Sequence, residues 1–450
     1  MNNLSTPSIG LDPKLLLLGV VFSALIWPLP LSAQTAPNQT ETPPVDATTS
    51  PAQDLLEEEL AEAMATQEAE SSTGAAAFSN LFNPAISVNA LVLMSFSFRG
   101  DDGHEHHDHG HEEEGEEEHE EEGHDVHEGH DDHEGHGHSL GTGIHLQEVE
   151  LKFSSVVDPY FRADFVLAAH GGHLGFEEAF LSTTSIPRMT IRAGQMYANI
   201  GRHNLLHTHA YQFVNAPLPW PELLGPEGLN DVGVSFDILF PLPFFAEINA
   251  QVFQGEWASL SGDITDDPAT SADESSPDQR EDSDLGYVGH LKTLFELSDS
   301  ATIELGGTYA GGRNGFGGWT HMMGSDLTLK WRPIQAERYT SLEWTTEYLL
   351  VNREGDPESD REGGGYTGLR YQFNQRWWVQ ARAAVLGLPQ GDEDPHLRNE
   401  ALLAFIPSEY SGFRLQYAFE PGDSDHEEGP LHEIFLQAII SIGSHPTHAY

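Results

Sequence analysis

The feature that most constrains the fold is an alternation of period two, with charged residues on one face and apolar residues on the other. In 146–153 (LQEVELKF), Val149, Leu151 and Phe153 share a face opposite Glu148, Glu150 and Lys152. In 161–167, Phe161, Ala163, Phe165 and Leu167 oppose Arg162 and Asp164. Val232, Val234, Phe236 and Ile238 alternate with Gly233, Ser235 and Asp237, and Phe244, Ala246, Ile248, Ala250 and Val252 with Glu247, Asn249 and Gln251. Successive side chains of a strand point to opposite faces, so each stretch is a strand with one apolar and one polar side. A barrel in lipid demands that pattern, with lipid outside and water inside. A soluble β-sandwich or two-domain β-protein is the competing reading, and the connections separate the two.

Sixteen strands can be read, near 85–98, 143–155, 159–169, 174–185, 189–200, 230–240, 244–256, 285–297, 300–311, 323–332, 339–352, 365–373, 376–388, 399–406, 412–420 and 431–443. Connections after even-numbered strands are short, as in Val157-Asp158-Pro159, Ile186-Pro187-Arg188 and Asn374-Gln375. Those after odd-numbered strands are mostly long and polar: 99–142, 201–229, 257–284, 353–364, 389–398 and 421–430. Short turns on one rim and long loops on the other, with an even strand count, predict an all-β fold. Its form is a transmembrane antiparallel up-and-down β-barrel of about 16 strands, with short periplasmic turns and long extracellular loops. A 22-stranded receptor with an internal plug needs more chain than this.

Lys14 precedes an apolar run over 15–27, and Leu31-Ser32-Ala33 reads as a cleavage site before Gln34, so 1–33 is expected to be a signal peptide. No later segment offers the ~20 uninterrupted apolar residues of a transmembrane helix. Residues 34–84 are expected to form a periplasmic linker with a short acidic helix over 54–70, and the barrel to occupy 85–450. The chain is thus expected in a bacterial outer membrane, surrounded by its lipid and inserted by the barrel-assembly machinery. The 72 Asp+Glu against 20 Lys+Arg give a net charge of −52, which argues against nucleic acid as a partner. There is no Cys, which removes disulfides, thiolate metal sites and Cys nucleophiles. No Ser/His/Asp arrangement and no phosphate-cradling Gly loop emerges, so no enzyme is expected.

The residues that bear chemistry are histidines. Segment 101–138 carries eighteen Asp/Glu and no Lys/Arg, and holds His104, His106, His107, His109, His111, His119, His124, His127, His130, His133, His136 and His138. Imidazole nitrogen and carboxylate oxygen suit Zn²⁺ and accept Cu²⁺ or Ni²⁺. The interspersed glycines argue for several overlapping sites rather than one fixed cage. A solvated polyanionic loop is the bland alternative. The 201–229 connection holds His203, His207 and His209, followed by Phe213, Val214, Leu218, Trp220, Leu223 and Leu224. An apolar long loop is expected to fold into the barrel and narrow it, placing these three His at the constriction, as ligands or as ordinary hydrogen-bonding groups. The inner face mixes Glu148, Glu150, Asp164 and Glu247 with Lys152, Arg162, Arg192 and Arg382, which is either a transverse field or cross-strand pairing.

The stretches FNPAISVNALV (82–92), DPYFRADFVL (158–167), 176–218 from FEEAFLSTTS to FVNAPL, and GPEGLNDVGVSFDILFP (225–241) resemble a family of bacterial outer-membrane barrels described as zinc-regulated, receptor-like or porin-like. The resemblance implies the barrel and a role in metal acquisition, and carries over no ligand residues. The expected function is capture of a divalent metal, zinc first, on the His/acid loop and its passage to the periplasm, the ion being cargo. A general small-solute porin is the alternative. Oligomeric state is not legible.

Overall fold

The computed structural model describes residues 84–99, 141–170, 173–261, 284–333, 339–356, 361–389, 395–422 and 429–443, all within the unit Ser71–Tyr450. The expected signal peptide, the linker with its acidic helix, and the loop histidines from His104 to His138 lie outside the described residues.

Sixteen antiparallel strands close into one barrel. In chain order they are β1 Ala85–Arg99, β2 Gly143–Asp158, β3 Phe161–His170, β4 His173–Thr183, β5 Met189–Tyr197, β6 Asn230–Leu239, β7 Phe245–Phe253 and β8 Gly286–Ser298. The second half comprises β9 Ala301–Arg313, β10 Trp319–Trp331, β11 Ser341–Arg353, β12 Arg361–Asn374, β13 Trp377–Leu386, β14 His396–Ser408, β15 Ser411–Glu420 and β16 Leu431–Gly443. Each strand pairs with its sequence neighbours, and β1 closes on β16 from Ser87↔Gly443 to Arg99↔Leu431. The strand ends fall close to those read from the sequence. The largest displacements are at β10, which starts at Trp319 rather than 323, and β12, which starts at Arg361 rather than 365. Glycines at 363–365 read as a turn, but their backbone pairs with β11 from Leu350↔Gly363 to Tyr348↔Gly365.

The faces divide as the alternation requires. On β6, Val232, Val234, Phe236 and Ile238 are exposed while Ser235 is fully buried, and on β15 Phe413, Leu415 and Tyr417 are exposed around buried Gln416. Apolar area of this extent is unfavourable in water by roughly 25 cal/mol per Å² and is relieved only by an apolar surrounding. The barrel is therefore transmembrane. Among the described residues no helix is long and apolar enough to cross a membrane; the strands do it. At the short-turn end aromatic pairs mark an interface belt, Phe244 with Phe295 at 5.0 Å and Trp377 with Phe405 at 4.7 Å between ring centroids.

The connection between β5 and β6, residues 198–229, folds into the barrel as a strap. It contains two 3₁₀ turns, His203–Leu205 and Thr208–Ala210, and a short helix, α1 Pro219–Leu224, with proline at its first positions and Gly225 (φ 96) ending it. Asn204 closes its neck: its amide donates to Ala198 O (2.8 Å) and Leu229 O (3.0 Å), and its Oδ1 accepts from Leu229 N (2.9 Å). Gly201 (φ 59) turns the chain inward over Glu347, in a left-handed conformation that suits glycine. One side of the strap, with a second inward helix, α2 Ala258–Ser261, forms an apolar core against the inner faces of β8 to β11, including Trp220, Leu223, Trp257, Leu260, Met322 and Leu349. The other side sets Phe213 and Val214 against Leu93, Leu402, Ala418 and Phe435. The strap thus crosses the lumen from one wall to the opposite one. Inner-face polar residues on many strands are buried beneath it, among them Asn89, Gln251, Thr345, Gln380, Gln416 and Gln437. The expectation of a narrowed pore holds, since the strap crosses the lumen at this level.

The outward face fixes a first prediction. Leu415→Arg, near the middle of β15, is expected to lower unfolding stability in lipid by about 2–4 kcal/mol, the cost of an arginine at the bilayer midplane. Denaturant titration of the refolded barrel in vesicles measures it, and an unchanged midpoint would contradict the orientation.

Candidate metal centre

Two irregularities in the ladder build the site. Between β1 and β2 the register jumps from Leu91↔Glu148 to Val92↔Leu146, and between β3 and β4 from Val166↔Glu178 to Leu167↔Phe176. Each jump is a β-bulge, which sets an extra residue into one strand and re-aims its side chain. Here the extra residues are Gln147 and Glu177. Both turn toward the lumen: the Gln147 amide donates to Val214 O of the strap (2.9 Å), and Glu177 meets His207. Consecutive residues that an ideal strand would send to opposite faces thus both serve the interior. Beside the second bulge the backbone ladder between β4 and β5 is short, running only from Ala179↔Gln195 to Ser182↔Arg192. Side-chain amides take over above it, with Asn230 donating to Glu177 O and Gln195 to Phe176 O.

Against this wall the strap sets His207 and His209. His207 Nδ1 lies 2.7 Å from Glu177 Oε2 and 3.2 Å from Glu150 Oε2, and its Nε2 lies 3.0 Å from Glu178 Oε2. His209 Nδ1 is 3.0 Å from the same Glu150 oxygen, and the two rings stack at 5.9 Å with planes 25° apart. The donor atoms fall into three overlapping triads, Glu148/Glu150/His209, Glu150/Glu177/His207 and Glu148/His170/Glu177. Glu148, Glu150, His207 and His209 are buried. Among the described residues the ion-pair partners of these carboxylates are imidazoles rather than Lys or Arg. Both ring nitrogens of His207 face carboxylates. Burial opposes its charge, yet hydrogen bonds to Glu150, Glu177 and Glu178 outweigh that and hold its pKa well above the usual histidine value. The protonated ring occupies the place where a cation would be most stable.

Several of the remaining inner-face charges are paired locally. Arg162 binds Asp164 through Nε (2.9 Å), Arg192 binds Asp237 (3.2 Å), Lys292 lies 3.6 Å from Glu304, and Arg382 binds Glu400. Of the two readings offered for these charges, pairing describes Asp164, Arg162, Arg192 and Arg382, while among the described residues no ion pair joins Lys152 or Glu247. Arg382 also donates to Asn215 O (3.2 Å) and Ala216 O (3.1 Å), and Gln416 Oε1 accepts from Val214 N (2.8 Å), anchoring the far end of the strap.

His203 does not join the cluster. Its ring lies among Tyr211 (4.5 Å), Trp220 (5.9 Å) and Tyr366 (6.3 Å), its buried Nε2 has no hydrogen-bond partner among the described residues, and its backbone N–H donates to Glu347 Oε1 (3.1 Å). Burial, reinforced by the nearby Arg382 charge, pushes its pKa well below the usual value. Of the three strap histidines, the structure therefore brings two to carboxylates and gives the third an aromatic cage. Glu177 and Glu178, missed in the sequence, carry one visible signal: adjacent acids break the alternation of GFEEAF.

His203 is neutral in the folded chain and titrates near 6.5 when unfolded, so the unfolded state gains a proton first as pH falls. Stability is expected to decline below about pH 6.5 on this account. His203→Gln is expected to shallow that decline between pH 7.5 and 5, as read by thermal melting of the refolded barrel. A decline of equal slope in the variant would place the sensitivity elsewhere.

No known protein family's sequence profile matches the chain. Among solved structures, Pseudomonas putida OprB is similar with a TM-score of 0.49 at 7% identity, over 82% of this chain and 97% of that one. The outer membrane channel DcaP of Acinetobacter baumannii gives 0.47 at 9%, over 80% and 97%. The anion-selective porin from Comamonas acidovorans gives 0.47 at 9%, over 80% and 100%. An uncharacterized protein of Aquifex aeolicus (strain VF5) is 30% identical over 342 residues, spanning 68% of this chain and 70% of that protein. The chain belongs to the family of that Aquifex aeolicus protein.

Proposed function

We propose that the chain is a bacterial outer-membrane barrel that passes divalent transition-metal cations, zinc first, from the cell exterior to the periplasm. The observation that carries this reading is the lumen cluster: four carboxylates and two imidazoles, converging where the strap crosses the barrel. Such a set is borderline-to-hard in donor character and fits Zn²⁺, Mn²⁺ or Fe²⁺ better than soft Cu⁺. His170, the last residue of β3, pairs with Glu227 at 2.7 Å and shares a triad with Glu148 and Glu177, which extends the donors toward the long-loop rim. The His/acid segment 101–138 supplies the capture step outside, raising the local cation concentration through its charge and its density of weak sites. The resemblance to zinc-regulated barrels supports the same cargo. The signal peptide of 1–33 supplies export.

The general-porin alternative predicts free passage of sugars. The burial of inner-face polar residues around the strap, among them Gln251, Gln380 and Gln416, argues against it. Purified barrel in liposomes loaded with a zinc-sensitive dye is expected to admit Zn²⁺, with uptake lowered about tenfold or more by Glu177→Gln. Swelling in a sugar gradient is expected to stay near that of empty liposomes. Fast sugar swelling, with Zn²⁺ uptake indifferent to Glu177, would return the protein to the unspecialised porin.

A further inference from the structure

The geometry points to a two-metal site at the lumen cluster, with Glu150 Oε2 as the bridging oxygen, rather than a single-ion site. The inference rests on the metal-passage reading and deepens it.

Glu150 is built to offer one oxygen to two partners. Its Oε1 accepts the Asn89 amide at 3.2 Å, and Asn89 Oδ1 in turn accepts the Ser441 hydroxyl at 2.7 Å. This fixes the carboxylate plane and leaves Oε2 facing both imidazoles, 3.2 Å from His207 Nδ1 and 3.0 Å from His209 Nδ1. Around that oxygen the donors divide. Glu177 and His207 make one triad with Glu150, Glu148 and His209 make another, and the only residue these two triads share is Glu150. Glu148 supplies a second sign of a ligand: Thr208 hydrogen-bonds its carboxyl, yet its Oε1, in a residue 1% exposed, has no hydrogen-bond partner among the described residues. A buried carboxylate oxygen left this way is costly unless a cation meets it.

Glu178 completes the arrangement without being a ligand. It lies 3.0 Å from His207 Nε2, and an N–H held there leaves Nδ1 free to bind metal, as carboxylates behind ligating imidazoles commonly do. The spacings also fit. A tetrahedral ion with bonds of about 2.1 Å separates its donors by about 3.4 Å, so the observed 2.7–3.2 Å around His207 Nδ1 needs only a small expansion once the ring proton leaves. Charge balances too: four carboxylates and two neutral imidazoles match two divalent cations, and one ion would leave buried negative charge uncompensated. Two ions sharing an oxygen stand about 3.5–4 Å apart. For a passage site this spacing means mutual repulsion between successive ions, which favours release of the inner one when the outer one binds.

The test uses the full chain, loaded with Mn²⁺ as the probe and examined by electron paramagnetic resonance. The expected spectrum contains an exchange-coupled pair, whose hyperfine spacing is half that of an isolated ion. Ions on the 101–138 segment add only isolated-ion lines. Glu150→Gln is expected to abolish the coupled signal. Glu148→Gln is expected to replace it with one isolated ion that still depends on His207. Heat-modifiable migration in gels verifies that each variant is folded. A wild-type spectrum of isolated ions alone, one of them lost in Glu177→Gln, would overturn the pair and leave the passage reading standing. A spectrum unaffected by substitution at Glu150, Glu177 and His207 would overturn both.

Discussion

Once a sheet closes in lipid, its inward polar side chains can be satisfied only by what fills the lumen. That constraint organises this protein. The outside is settled by burial of apolar residues in the bilayer, which needs no specific partner. The inside is settled by a strap of about thirty residues whose backbone and side chains meet polar groups on wall after wall. Glu347 accepts the N–H groups of Arg202 and His203, Tyr366 donates to Glu347, Thr308 accepts Gly201 N–H, and Arg382 holds the carbonyls of Asn215 and Ala216. Where these contacts are neutral or locally paired, the strap is simply anchored. At β2 and β4 they are four carboxylates against two imidazoles, and no Lys or Arg pairs with them among the described residues. That imbalance gives the site its chemistry.

The same constraint explains why two neighbouring histidines differ so sharply from a third. His207 and His203 are both buried, and burial alone disfavours charge on each. At His207 three carboxylates more than compensate, while at His203 the neighbours are aromatic and the nearest charge is the like-signed Arg382. The strap therefore holds one cationic and one neutral imidazole four residues apart. One is fastened electrostatically and the other by packing against Tyr211 and Trp220.

Much of the fold was legible in the sequence because barrel strands obey a rule with period two, and because turns and loops separate onto two rims. Lipid outside and polar groups inside leave the alternation little freedom, so the inward placement of Glu148, Glu150 and Asp164 could be read directly. The inward folding of 201–229 was legible too, from Phe213, Val214, Trp220 and Leu223 in a connection that should be polar. The bulges were not. Gln147 and Glu177 occupy positions that strict alternation assigns to lipid, and only a local slip of register turns them inward. Nor could the sequence separate His203 from His207 and His209. Their neighbours, Tyr366 on β12 and Glu177 on β4, come from strands far apart in the chain. The acid-and-histidine segment 101–138, the most conspicuous motif in the sequence, lies outside the described residues, while the lumen cluster joins His207 and His209, already candidates in the sequence, to Glu177 and Glu178, which were not.

The proposed function stands on divalent metal held where the strap meets β2 and β4. The most direct measurement is anomalous diffraction at the zinc edge from crystals of the barrel grown with Zn²⁺. Anomalous density is expected within the cage of Glu148, Glu150, Glu177, His207 and His209. An ordered cage with no anomalous density, in crystals whose zinc binds elsewhere on the chain, would contradict it.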